Sequence, residues 1–491
     1  MTSTSFALQK RTIDRHFSQQ IMLAFFLITL AGIWFSISSQ EDAVATIVFM
    51  AVVTLAGLWL ISRLRILLED PHLQNLGYVW LLAIFLTLTL LFIGWIPQLD
   101  PSASLSWGYD PQRYYFQAKE LVDNRWSSDF VSINYVGILY YYGALFAFIG
   151  YNPIIPALLN LFTTLLAVLF LVQIGYKIKK DRGPYDWTLG FAMLLPEVLW
   201  FDVMTSRETI TMSLLTILLL SAGEYLMQIT RSTIFGRTAV ILITGLGIGL
   251  LRTAMLLPVA IAMGLLFLFL RPARMRRWGG VIFLVQLAVL LFVTPTISTN
   301  LGSYNFDYTE IGNRLVISDE EQMMLGLNWN QQSFGQLLIP NNNLEAILYT
   351  PPRAMIYLVT PLPTIGFSLK ELLRGSWLDW QSLMSTLSSI INIALFPLAL
   401  ASFIYATRHR KEYPTLLVFH IPYWVLFFSI AAGNQIIHER YRIMASLLFA
   451  GCVWLGTFAT PRTEIKRWYF VWFLTIGLAG LVYVGYKLNF I

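Results

Sequence analysis

The chain has 491 residues, 57% hydrophobic and only 12% charged, with a mean hydropathy of +0.64 and a formal net charge of +6. A soluble globular chain carries about a quarter charged residues, so this one has too little polar surface to sit folded in water. The single cysteine, Cys452, excludes an intrachain disulfide. The positive charge is scattered among short loops, which argues against nucleic acid as its partner.

The apolar residues gather into runs long enough to cross ~30 Å of hydrocarbon. Thirteen spans are predicted, near 21–39, 44–62, 77–97, 153–175, 187–205, 209–228, 238–251, 254–270, 280–297, 384–405, 415–433, 443–460 and 468–486. The expected fold is therefore an all-α, polytopic membrane bundle. The first run is longer than a signal-peptide core and a second follows at once, so it reads as a retained span. The spans near 238–251 and 254–270 are short and meet at Arg252, so they also read as one bent hairpin. Five segments follow: a three-span region over 1–97, a polar loop over 98–152, a central bundle over 153–297, a second polar loop over 298–383, and a C-terminal membrane region over 384–491.

Orientation follows from the basic residues, which concentrate in cytoplasmic loops. With the N-terminus inside, the inner segments hold twenty-one of the 33 Lys and Arg, including Lys177, Lys179, Lys180, Arg182, Arg274, Arg276 and Arg277. Glu41, Asp42, Asp110, Asp307, Asp319, Glu320 and Glu321 fall outside. Both long loops then face the extracytoplasmic side of a cytoplasmic (inner) membrane.

In the first loop, Tyr114, Ala118 and Leu121 stand at i, i+4 and i+7, which predicts an amphipathic helix. The Tyr cluster at 140–142 suits a helix at headgroup level. The second loop starts polar and ends in an amphipathic stretch broken by Pro351, Pro352, Pro361 and Pro363, which argues against a straight span and for surface-lying helices with a re-entrant turn.

Ionisable residues in or beside spans are costly and mark candidate sites. The fifth span carries Glu197 and Asp202. Arg207 and Glu208 follow where the chain emerges, Arg252 marks the next outer hairpin, and His438, Glu439, Arg440 and Arg442 precede the twelfth span. A guanidinium keeps its proton and offers a fork of donors that matches phosphate oxygens. Arg207, Arg252, Arg440 and Arg442 therefore suit a phosphate headgroup. The plainer alternative is that Arg207 pairs with Glu208, and Glu439 with Arg442. No nucleotide-binding phosphate loop, zinc-protease helix motif or nucleophile elbow occurs. Gly245, Gly247 and Gly249 lie inside a span and read as helix-packing positions.

Three features, in this order, resemble the GT-C superfamily of membrane glycosyltransferases, which includes protein O-mannosyltransferases and lipid A aminoarabinose transferases. The first is Tyr109-Asp110 followed by Arg113-Tyr114-Tyr115 and Ala118. The second is the passage FAFIGYNPIIPALLNLF into a span that ends in basic residues. The third is Pro196 followed by the outward Arg207-Glu208, and the closing HERYR is also similar. The likeness covers roughly 105–460. It implies a sugar donor linked to polyprenyl phosphate or diphosphate, used on the extracytoplasmic side. It implies Asp110 as catalytic base, and Arg207, Glu208, Arg252, His438, Arg440 and Arg442 as donor-phosphate residues, with Arg113 and Tyr114 as acceptor or loop contacts. The stretch 345–380 would wall a groove for the lipid tail. Asp110 is followed by Pro111 where the family pattern has a second acid, so no metal ligand is assigned and a divalent ion stays an open cofactor. O-antigen polymerases and ligases use the same carrier and share long, Arg-bearing outer loops. A flippase for a lipid-linked glycan is the rival class.

Overall fold

The computed structural model describes residues 43–99, 110–127, 136–179, 187–227, 231–270, 277–300, 340, 342–359, 368–374, 376–433 and 439–487. All regular structure among them is helical. In chain order the helices are α1 (Ala43–Leu68), α2 (Gln74–Leu90), α3 (Asp110–Asp123), α4 (Val136–Ile149), α5 (Ile154–Lys179), α6 (Pro196–Val203), α7 (Arg207–Met227), α8 (Arg231–Arg252), α9 (Leu256–Leu270), α10 (Arg277–Ala288), α11 (Thr294–Asn300), α12 (Asn343–Val359), α13 (Leu369–Leu373), α14 (Trp377–Arg408), α15 (Leu417–Gly433), α16 (Ser446–Ala459) and α17 (Arg462–Lys487). Ten stretches among the described residues are long and apolar enough to cross a membrane. The described residues thus form an all-helical, multi-pass membrane protein.

The expected thirteen spans map onto these ten with two corrections. The segment 187–205 is not one helix. It is a 3-10 stretch, Trp187–Leu194, then the eight-residue α6, which carries the buried carboxylates Glu197 and Asp202. Pro196 explains the break: its ring fits the first turn of a helix but cannot continue a preceding one. The runs near 238–251 and 254–270 form one apolar stretch interrupted at Arg252, whose backbone is extended (φ −163°, ψ 76°). The expected span at 21–39 and the polar half of the second loop lie outside the described residues.

Two compact units make up the fold. The first holds residues 1–133, 138–210 and 368–380, and the second 134–137, 211–367 and 381–491. In the first unit α1 packs against α2 and α5, while α5 also meets the 3-10 stretch and α6. Gly150, at φ 121°, turns the chain out of α4. The Asn152 carboxamide oxygen then accepts the Ile154 N–H at 3.0 Å and Pro153 opens α5, the usual asymmetry of a helix start. Tyr114, Ala118 and Leu121 form the buried face of α3.

In the second unit α15 is the hub, packed against α9, α12 and α16. Gly245 and Gly247 sit inside α8 where Leu290 and Leu214 press against the backbone; a Cβ at 247 would meet Leu214 Cδ1 at 2.9 Å. Arg237, near the basic start of α8, turns inward to pair with the buried Glu224 of α7. Helix α17 is held differently, since almost none of it is buried. Pro397 inside α14 has no N–H for the carbonyl of Ile393 four residues back. The Trp472 indole donates to that carbonyl at 2.8 Å, and the Tyr469 hydroxyl donates to the next one, Ala394, at 2.9 Å. Trp472→Phe leaves the Ile393 oxygen without its donor. It should cost about 1–3 kcal/mol and lower the melting temperature of the detergent-purified protein; a melting curve identical to wild type would refute the anchor.

Candidate functional site

The chain between α6 and α7 carries the predicted Arg207 and Glu208, and the first unit is built around it. Met204 is extended (φ −85°, ψ 150°), so α6 ends and its last carbonyls lose helical partners. One side chain from α5 takes them up. The Asn160 amide donates to the Asp202 carbonyl at 3.2 Å and to the Met204 carbonyl at 2.8 Å. Tyr142 of α4 donates to the Ser206 carbonyl at 2.9 Å, and its oxygen lies 3.2 Å from Asn160 Oδ1. The Thr164 hydroxyl donates to the Asp202 carboxylate at 2.9 Å. Asp202, Asn160 and Tyr142 are all fully buried. Sequence reading passed over Asn160, although a lone carboxamide within the run IIPALLNLFTTLL is the available signal.

The same turn holds the head of α3. The Thr205 hydroxyl donates to the carbonyl of Pro111. That bond brings the helix start bearing Asp110 onto the residues that lead to Arg207. Asp110 is the first residue of α3 and partly exposed, and Arg113 one turn later is also partly exposed. Tyr114 instead faces the core and is buried.

Arg207 and Glu208 open α7, 5% and 3% exposed, with Arg207 Nε 3.8 Å from Glu208 Oε1. The plainer expectation, that they pair, is met at this distance, near the outer limit of an ion pair. Glu208 suits the positive end of the helix dipole, whereas Arg207 opposes it. A buried cation placed at that end makes a locus where a helix N-terminus and a guanidinium both favour an anion.

The second unit holds the other predicted arginines. Arg252 lies over the ring of Tyr441 at 4.9 Å, a cation–π contact that joins the α8–α9 break to the ERYR segment. Arg442, 4% exposed, donates to the carbonyls of Tyr357 and Leu358 at 3.0 and 3.4 Å and to Ser389 Oγ at 3.1 Å. It thereby caps the C-terminal end of α12, a position that favours a cation. A cavity of about 10 Å³ between Arg442, Asn392 and Ser446 has room for no more than a water molecule. A larger recess of about 300 Å³ shares Phe427 with it and is lined by Pro351, Met355, Phe396, Trp424 and Trp472. Arg353 of α12, which sequence reading did not single out, is also buried, and burial lowers the pKa of its guanidinium. His438 and the Arg440 side chain lie outside the described residues. Among the described residues no three His, Cys, Asp or Glu side chains gather as a metal site.

Comparison with protein-family models, with curated proteins and with solved structures finds no match to this chain.

Two outcomes check this geometry. Asn160→Leu removes the donor to two buried carbonyls, so it should destabilise the protein by about 1–3 kcal/mol and raise hydrogen exchange across 202–208; unaltered exchange there would refute the role. The second concerns α3, where the Tyr115 hydroxyl donates to the Tyr151 carbonyl and burial pushes its phenol up to about 12. A native pKa raised above the ordinary 10 favours the protonated fold. Its stability contribution is complete below pH 10 and is lost as pH rises toward 12. Unfolding titrations should show this alkaline loss in wild type and a smaller one in Tyr115→Phe.

Proposed function

We propose that this protein is a membrane glycosyltransferase that moves a sugar from a polyprenyl phosphate or diphosphate donor to an acceptor on the extracytoplasmic face, in cell-surface glycan assembly. One observation carries the reading: the Thr205–Pro111 hydrogen bond joins the helix head bearing a partly exposed carboxylate, Asp110, to the turn that leads to the buried Arg207 and Glu208. A base beside an electropositive helix start is the pairing that glycosyl transfer from a phosphate needs.

In this mechanism Asp110 accepts the acceptor hydroxyl proton as the oxygen attacks the anomeric carbon. The bond from that carbon to the phosphate oxygen breaks, and the electron pair leaves with the phosphate. The leaving group is already an anion, so it needs charge stabilisation more than a proton. Arg207, with the α7 N-terminus behind it, supplies that stabilisation. A single in-line displacement inverts the anomeric carbon. Taken by itself, the recess of the second unit lined by Pro351, Met355, Trp424 and Trp472 has almost wholly hydrocarbon and aromatic walls, which suit an isoprenoid chain. In the second unit, Arg442 holds α12 in place beside an apolar recess. The N-terminus is cytoplasmic and the site faces outward, following the basic loops.

Asp110→Asn should lower transfer by about 10²–10⁴-fold while the protein still folds. The check is mass spectrometry of lipid-linked glycans from cells carrying wild type, a deletion or Asp110→Asn. Loss of one sugar in both mutants supports monosaccharide transfer. Accumulation of single repeat units assigns the same site to a polymerase or ligase. Chemically unchanged glycans trapped on the cytoplasmic leaflet would assign the protein to the flippases and sink the catalytic role of Asp110.

A further inference from the structure

Helix α3 ends in an unusual way. The Trp126 N–H donates to the Leu121 carbonyl at 2.7 Å and the Arg125 N–H to the Val122 carbonyl at 3.1 Å, the paired bonds of a Schellman cap. Such a cap wants glycine at its left-handed position. This chain places Arg125 there at φ 54°, and then Trp126 at φ 67°. Side chains rarely adopt this conformation, and two large ones in succession are strained. The strain places an indole where it remains 38% exposed.

The ring of Trp126 is fixed on α4. It is parallel to the ring of Tyr140, with an interplanar angle of 0° and centroids 5.9 Å apart, and Tyr140 is 40% exposed. It also lies over Gly143, where an added Cβ would come within 3.3 Å of Trp126 Cζ3. Three exposed polar residues lead directly into Trp126. Asp123 accepts from Tyr151, Asn124 donates to the Glu120 carbonyl at 2.9 Å, and Arg125 is exposed. Two parallel aromatic rings, partly open and preceded in the chain by exposed hydrogen-bonding groups, match the chemistry of a sugar ring. Its C–H face seeks the negative face of an aromatic, and its hydroxyls seek donors and acceptors at the edge.

We propose that Trp126 and Tyr140 form a carbohydrate-binding platform that holds the acceptor glycan outside the reacting site. The proposal rests on the glycosyl-transfer reading for the identity of that glycan. A Trp placed only to float at the bilayer interface needs neither a strained backbone nor a second ring held parallel to it.

The test is saturation-transfer NMR on the full chain in nanodiscs. The probes are maltohexaose, mannohexaose and chitohexaose, together with the surface polysaccharide of the producing cell released by mild acid. Wild type should transfer saturation to ring protons of at least one probe. Trp126→Ala and Tyr140→Ala should each weaken that binding about tenfold, and Trp126→Phe should retain most of it. No binding by any probe, or equal binding by both alanine variants, overturns the platform. So does labelling of the Trp126 peptide by a headgroup-photoreactive phospholipid in wild type. The glycan profile of the Asp110→Asn strain is scored separately. Transfer without platform binding refutes only the platform, and platform binding with an unchanged glycan profile refutes only the transferase reading.

Discussion

In a bilayer core there is no water to take up a backbone carbonyl that a helix has released, so each break in a membrane helix must bring its own donor. This fold supplies donors to released helix carbonyls at three places, inside and outside the spans, with three kinds of side chain. An amide, Asn160, serves the carbonyls freed where α6 ends. An indole, Trp472, serves the one freed by Pro397. A guanidinium, Arg442, serves the end of α12. The donors come from helices distant in sequence, so each break is also a cross-link.

The same constraint governs where chemistry can sit. A continuous helix spends its backbone on itself and presents only side chains. A break exposes backbone amides, and the break before α7 leaves them at the helix start that Arg207 opens. Placing a cation there works against the helix dipole. Arg442 illustrates the opposite case, a cation at a helix end that welcomes it. Its type and position suggested anion binding, and its surroundings give it a mechanical task.

Composition and run length made the membrane character and most long helices legible, because burial in hydrocarbon needs only length and apolarity. The amphipathic face of α3 was legible too, from Tyr114, Ala118 and Leu121. What stayed hidden depended on tertiary partners. The run at 187–205 has the right composition for a span, and only the proline and the buried carboxylates signal a break. Asn160 and Trp472 look like ordinary tolerated residues until the carbonyls they serve are known. Arg442 could not be told from Arg207 by sequence, since both are arginines beside an apolar run. The backbone conformation at Arg125 and Trp126 has no sequence signal at all, because glycine would be the expected residue there.

Pro397 deserves a last consequence. One residue both frees the carbonyl and, through Trp472, positions α17, whose Val471, Trp472 and Thr475 form one wall of the apolar recess. The width of that recess is thus inherited from a proline in another helix. A chain that lost Pro397 would give the Ile393 carbonyl a helical donor again and set that donor in competition with the Trp472 indole. Drift at position 397 is therefore tied to drift at 472, two sites that composition alone would treat as independent.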